Sequence, residues 1–398
     1  MKILEEVLEE IKPKGKKKEV KEFLSKLNIL LKGKAKAIVG GSYAKNVWLK
    51  GDHDVDIFAA FGKKYSEKNM SQVLENLIKP LKPKKLHGSR DYFQIKFKDI
   101  NFEIVPVLNI KTSKEAKNIT DCSILHVKWF LKEGKKLEDD IRLAKKFCKS
   151  QKVYGAESYI GGVSGHVLDI LVVYTGGFIN FLKFISKAKK GTVIDYYKVH
   201  KGNARIMINK SKQHGPLLVV DPVEPERNAA AALTEEKFKD LVNAAKKFLK
   251  NPDKKMFEEK PLNAKELLKK GYLCLEVKPL SGKRDVVGAK LLGAFKHIGK
   301  EMKKYDVKGL WAWKEGENAL FCYKVKVDQL PLTHLREGPP IENKNAVQEF
   351  KKKHKKTIVK NGKIFAELET KERTPQETIE RLTKEEYVKS RIRGMKWV

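Results

Sequence analysis

Apolar positions recur along this chain in two rhythms, and the switches between them outline its organisation. Leu4, Val7, Leu8 and Ile11 share one helical face and Val20, Phe23, Leu24 and Leu27 another, which predicts two opening helices. Ala35 to Val39 is a short apolar run closed by Gly40-Gly41-Ser42, the pattern of a strand feeding a tight turn and a short helix. Val55 to Phe61 predicts a second strand and Gln72 to Ile78 a helix. Tyr92 to Lys98 alternates, with Phe93, Ile95 and Phe97 on one face, and Lys98-Asp99 turns it into Asn101 to Leu108. Residues 1–118 therefore read as a mixed α/β unit.

From Asp121 to about Ile185 the period is helical, and Ala229 to Leu249 resumes it after the loop Val219-Val220-Asp221-Pro222. The most apolar stretch, Val167 to Ile185, is interrupted by Asp169, Asn180, Lys183 and the pair Gly176-Gly177. A membrane span needs about 20 predominantly apolar residues, so two buried helices joined at the glycines are expected, and no membrane association. Pro252 and Pro261 punctuate a boundary. Beyond them, strands at Tyr272 to Val277 and Leu320 to Val327 flank a helix from Asp285 to Lys304, with Trp311 and Trp313 between. The order predicts an α+β multidomain protein: a head at 1–118, a helical middle at 119–250 and an α+β region at 251–398.

Charge adds a partner to this outline. The formal net charge is +35, with 34% charged and 41% hydrophobic residues, a globular composition whose surplus cation attracts polyanions. Lys344, Lys351, Lys352, Lys353, Lys355, Lys356, Lys360 and Lys363 face a single acid, Glu349, in the most basic segment; Lys351, Lys352, Lys353, Lys355 and Lys356 are the candidates for contact with RNA phosphates. Cys122, Cys148, Cys274 and Cys322 lie far apart without zinc-ligand spacing, which fits a reducing cytoplasm. The opening MKILEEVLEEI carries glutamates where an export signal has an apolar core.

The chemistry concentrates in Gly40-Gly41-Ser42-Tyr43-Ala44-Lys45 and in Asp54-Val55-Asp56-Ile57. On a strand, Asp54 and Asp56 point to one face while Val55 and Ile57 point to the core. Paired carboxylates are hard oxygen ligands suited to Mg²⁺ together with substrate phosphates. A third carboxylate, Glu103, stands on another predicted strand, and strand pairing can bring it to the same point. Three such groups can serve in-line displacement at phosphorus. Gly41 and Ser42 open a helix whose N–H groups can receive a triphosphate.

These blocks resemble the archaeal-type (class I) CCA-adding enzymes, tRNA nucleotidyltransferases of the DNA polymerase β superfamily. The likeness continues through Asp121-Cys122-Ser123-Ile124-Leu125-His126, Arg142-Leu143-Ala144-Lys145, Tyr154-Gly155-Ala156-Glu157 and Asp221-Pro222 to Arg227-Asn228-Ala229, and on to Gly338-Pro339 and Asn361-Gly362-Lys363. The resemblance implies a polymerase-β-type catalytic head, a nucleotide-sensing helical middle and a C-terminal tRNA-binding region. It implies catalysis with Mg²⁺ at Asp54, Asp56 and Glu103, and nucleotide contacts from Gly41, Ser42, Lys45, His126, Lys145, Tyr154 and Arg227, with ATP, CTP and tRNA as partners. Glu103 stands where the family pattern has aspartate, one methylene shorter, and Lys45 where it often has arginine. Monomer and homodimer both remain open. A different RNA 3′-terminal nucleotidyltransferase, such as a poly(A) or poly(U) polymerase or an oligoadenylate synthase, would need the same carboxylates; a non-catalytic RNA-binding relative would not.

Overall fold

The computed structural model describes the chain apart from residues 1, 14, 16, 53 and 89. Helices α1 (Lys2–Ile11) and α2 (Lys17–Leu30) bury the faces their spacing predicts, Val7 and Ile11 on the first and Val20, Phe23 and Leu27 on the second. There follow β1 (Ala35–Val39), the single turn α3 (Gly41–Ala44), β2 (Asp54–Phe61), α4 (Met70–Ile78), β3 (Lys84–Leu86), β4 (Tyr92–Phe97) and β5 (Ile100–Leu108). The sheet order is β1-β2-β5-β4-β3, with β2 and β5 parallel and the other neighbours antiparallel. One sheet face carries Ile57, Phe93, Phe102 and Ile104 into a core closed by α2 and α4, where Phe23 stacks on Phe102 with ring centroids 4.0 Å apart. On β2 the opposite face begins with Asp54 and Asp56 and continues with Phe58 and Ala60, so the alternation puts acid and apolar groups in one row. Ile124 and Val127 of α5 (Ser123–Glu133) pack on the apolar end of that row.

The next elements are α6 (Glu138–Ser150), α7 (Gly165–Thr175), α8 (Phe178–Lys187), β6 (Thr192–Ile194), α9 (Ala204–Met207), β7 (Leu217–Val219) and α10 (Glu235–Lys250). The expected all-helical middle thus contains a parallel strand pair, β6 with β7, too short to register as a period. The helix expected from Ala229 starts only at Glu235, because Thr234 caps it by accepting a hydrogen bond from the Lys237 N–H at 3.2 Å. Helices α7 and α8 meet at Gly176-Gly177 with a bend of 95°, and no single helix among the described residues is long and apolar enough to cross a membrane. Phe147, Phe178, Phe248 and Phe257 form an aromatic cluster with centroids 5.6 to 5.9 Å apart. Phe257 ties the segment after α10 to this core, and the chain divides into two compact units, Met1–Lys260 and Pro261–Val398. Head and middle therefore share the first unit, and its two large apolar clusters do not divide at residue 118: Val7, Ile11, Val47 and Leu49 pack with the middle and Cys122 with the head.

The second unit contains α11 (Ala264–Lys269), β8 (Tyr272–Pro279), α12 (Arg284–Glu301), β9 (Lys308–Ala312), β10 (Ala319–Lys324), β11 (Thr333–Pro340), α13 (Lys344–Lys353), β12 (Thr357–Lys360), β13 (Lys363–Glu369), α14 (Pro375–Thr383), α15 (Glu386–Lys389) and β14 (Ile392–Trp397). Its sheets run β14-β8-β10-β9 and β11-β13-β12. Trp311 and Trp313 pack against the apolar core of α12 and the larger sheet, so their part is structural packing. Cys274 and Cys322, distant in sequence, are register partners on β8 and β10 with sulfurs 2.8 Å apart. The basic segment folds as α13 followed by the β12–β13 hairpin. Asn361 and Gly362, both at positive φ, make its two-residue turn.

Candidate active site

The parallel register of β2 and β5 sets Asp54 opposite Asn101 and Asp56 opposite Glu103. Asp54 and Asp56 share a face by the period of two, so the three carboxylates converge at the open end of the acidic row. Asn101 steadies the outer one, donating from Nδ2 to Asp54 Oδ1 at 3.2 Å. Burial and the charge of Asp54 push the Asp56 carboxyl above its ordinary range, while Lys145 and Lys45 pull it back. Gly41 sits directly above: at φ +55, a β-carbon there would run into Asp56 Oδ2. Only glycine lets the turn come this close.

Gly41, Ser42, Lys45, Asp56, Lys145 and Tyr154 line one cavity of about 240 Å³, together with His166 and Asp169. The cations on its wall are held by carboxylates. Lys45 Nζ lies 2.6 Å from Asp169 Oδ2, both side chains buried. Lys145 Nζ lies 2.9 Å from Asp52 Oδ2, and Lys149 Nζ 3.1 Å from Asp52 Oδ1. Burial draws the Lys145 ammonium below the ordinary lysine range. Burial raises the Asp52 carboxyl, but the two ammonium groups and the Leu49 N–H outweigh it and hold it at about 2. Lys145 is placed by Arg142, one turn earlier on α6, which bonds both Asp139 and the carbonyl of Asn46 in the turn after α3.

His126 and Arg227 are brought together elsewhere, on the fully buried Asp221. His126 Nε2 is 3.1 Å from both its oxygens, and Arg227 Nη1 donates to Oδ2 at 2.7 Å. Burial opposes the charge of Asp221, yet His126 and His166 hold its carboxyl far below the usual range. Neither His126 nor Arg227 is among the residues lining the cavity; His166, whose ring centroid is 4.0 Å from that of His126, stands between the two groups.

Residues 17–160 match the nucleotidyltransferase domain family, residues 139–258 the second domain of tRNA nucleotidyltransferase, and residues 294–391 the C-terminal domain of CCA-adding enzyme. The CCA-adding enzyme of Methanococcus maripaludis is 30% identical over 392 residues, covering 92% of this chain and 87% of that protein. The chain belongs to the CCA-adding enzyme family. The CCA-adding enzyme of Pyrococcus abyssi is likewise 30% identical, over 84% of this chain and 80% of its own. That of Nanoarchaeum equitans is 43% identical over 218 residues, which span 54% of this chain and 55% of that protein, about half its length. Among solved structures, a cytoplasmic RNA terminal U-transferase superposes with a TM-score of 0.50 at 16% identity, covering 66% of this chain and 98% of its own. The Cid1 poly(U) polymerase bound to MgATP gives 0.50 at 18%, covering 65% and 98%. At such identity these two likenesses concern the fold.

Within this CCA-adding enzyme the head is a nucleotidyltransferase domain, which works with a divalent metal ion. The donor set suits one: Asp56 is half-buried beside Asp54 and Glu103, and the two lysines leave its charge under-compensated. His126, His166 and Asp221 also bring ligand atoms within 4.8 Å of one another. That carboxylate already accepts from His126, Arg227 and the Val223 N–H, so it is committed to protein partners. The helix that Gly41 and Ser42 open, α3, has a single turn and little dipole to offer, so what it presents to a triphosphate is the backbone N–H groups of those residues. Lys351, Lys352, Lys353, Lys355 and Lys356 are all exposed at the end of α13 and in the link to β12, in the second unit. Asp52, Asp169 and His166 were not singled out by sequence. Asp169 alone left a signal, a charge inside the most apolar stretch, where a buried carboxylate needs a partner.

Proposed function

We infer that this chain adds C, C and A to the 3′ end of tRNA, taking CTP and ATP and working without a nucleic-acid template. The observation that carries the reading is the β2–β5 register, which sets Glu103 against Asp56, itself on the wall of a cavity also lined by Gly41, Ser42, Lys45 and Lys145. Asp54, Asp56 and Glu103 would hold Mg²⁺, which when bound supplies the positive charge that activates the attacking and leaving oxygens. The close turn at Gly41-Ser42 offers backbone N–H groups to the triphosphate, and Lys45 and Lys145, already fixed by Asp169 and Asp52, offer point charges to its oxygens. Glu103 helps position the RNA 3′-hydroxyl, which attacks the α-phosphorus as the bond to the β-phosphate oxygen breaks and pyrophosphate leaves. Tyr154 walls the cavity beside Lys145 and Lys149, and the Asp221 group orients His126 and Arg227 toward the nucleotide. In the second unit, Lys351, Lys352, Lys353, Lys355 and Lys356 contact tRNA phosphates.

The test is incubation with tRNA lacking its terminal CCA, labelled CTP and ATP, and Mg²⁺, followed by sequencing of the 3′ ends. The expected product ends in CCA. A homopolymer tail, or no Mg²⁺-dependent incorporation, would sink the reading.

A further inference from the structure

His166 lines the cavity and carries a buried ring nitrogen that the fold leaves unpaired. Both ring nitrogens are shut away from solvent; Nε2 lies 3.4 Å from Asp221 Oδ2, and Nδ1 has no hydrogen-bond partner among the described residues. Orphaned buried nitrogens are costly and rare in a packed interior, so one on a residue that lines a substrate cavity points to a ligand that completes it. The ring is not a phosphate anchor. Burial, with the neighbouring His126, depresses its pKa to about 4, so it is neutral at physiological pH and adds no charge to Lys45 and Lys145. A neutral imidazole offers one N–H donor and one bare nitrogen acceptor. Asp221 decides which is which. Its carboxylate, ionised and acceptor-only, lies 3.4 Å from His166 Nε2 and so favours the proton on that nitrogen. Nδ1 is left as an acceptor.

An acceptor has a particular meaning for an enzyme that must take C and A. Both bases carry an exocyclic amine, N4 of cytosine and N6 of adenine, where uracil and guanine carry a carbonyl oxygen. We propose that His166 is a specificity-determining residue, whose Nδ1 accepts a hydrogen bond from the exocyclic amine of the incoming CTP or ATP and leaves UTP and GTP with two acceptors facing each other. The assignment rests on the reading of the chain as a CCA-adding enzyme and deepens it. It gives the cavity wall a part in base choice and makes Asp221 the positioning residue that fixes the imidazole tautomer, a part independent of the contacts expected of His126 and Arg227.

The experiment compares kcat/KM for CTP, UTP, ATP and GTP on tRNA ending before CCA, in the wild type and in His166→Phe. Discrimination of CTP over UTP and of ATP over GTP is expected to fall by roughly tenfold or more, since a buried acceptor facing a carbonyl disfavours the wrong base by about that factor. Wild-type enzyme with purine riboside triphosphate, which lacks the amine, gives the same information without a variant: its kcat/KM falls well below that of ATP, and the gap closes in His166→Phe. Unchanged base ratios in the variant, a wild type indifferent to the missing amine, or a changed preference for CTP over dCTP in place of the base ratios would each overturn the assignment. Failure of the wild type to add C or A at all would instead strike the functional reading.

Discussion

Asp56 keeps its carboxylate in surroundings that oppose the charge, half-buried, beside Asp54 and across from Glu103. Removing either strand aspartate takes away charge that acts mainly as the phosphoryl transition state develops. Asp54→Ala and Asp56→Ala are therefore expected to lower turnover about a thousandfold or more while tRNA affinity barely moves, checked by single-turnover incorporation and filter binding. A variant keeping a tenth of the activity would remove the metal assignment. Glu103 can be tested by length as well as charge. Glu103→Gln should nearly abolish addition of both C and A, and Glu103→Asp should slow it because the shorter arm falls short of a geometry built for glutamate; near-normal rates in Glu103→Gln would reduce it to a strand-face acid. Asp52 tests the lysine cradle through pH. Its folded pKa of about 2 lies below the ~3.9 of an unfolded aspartate, so its stabilisation is present above about pH 4 and is lost as pH falls toward 2. Thermal melts of Asp52→Asn should show a deficit against wild type that is constant at neutral pH and closes over that window. A deficit unchanged at pH 2 would mean the ion pair is not its origin.

The strand–turn–helix from β1 through α3 to β2 is the element that makes the site, and its position depends on Gly41. A residue with a β-carbon meets about 1–2 kcal/mol of left-handed backbone strain there and also collides with Asp56. Gly41→Ala should thus cost a few degrees of melting temperature but a much larger share of activity, because relief of the collision moves the metal-binding carboxylate or the phosphate-binding turn. Equal, modest losses in both measurements would show that the close approach serves packing alone. Local signals made this element legible: a short run with four apolar residues in five, two glycines and an alternating Asp-Val-Asp-Ile.

For the whole molecule, the net charge of +35 is the property that any tRNA complex must use. The run at the end of α13 is exposed, so its lysines are free to exchange counterions for phosphates. Neutralising Lys351, Lys352, Lys353, Lys355 and Lys356 together should lower the slope of log affinity for tRNA against log salt by as much as about four. An unmoved slope would assign the run to solvent and place the RNA elsewhere. The division at Lys260 and Pro261 belongs to this scale too. Prolines marked the region, but Phe257 in the aromatic cluster decided which side the connecting residues joined.

The sequence by itself determined what is settled within a few residues: the helical and strand periods of the head, the glycine turn, the shared face of Asp54 and Asp56, and the kind of chemistry those groups perform. It also carried the ordered blocks by which the family is known. Only the tertiary structure decided which distant side chains meet. Lys45 with Asp169, His126 with Asp221 and Cys274 with Cys322 are separated by 124, 95 and 48 positions. The physical reason is range. Backbone preference and hydrophobic period act along the chain, whereas a buried charge or an orphaned ring nitrogen finds its partner through the packing of segments that no local pattern brings together.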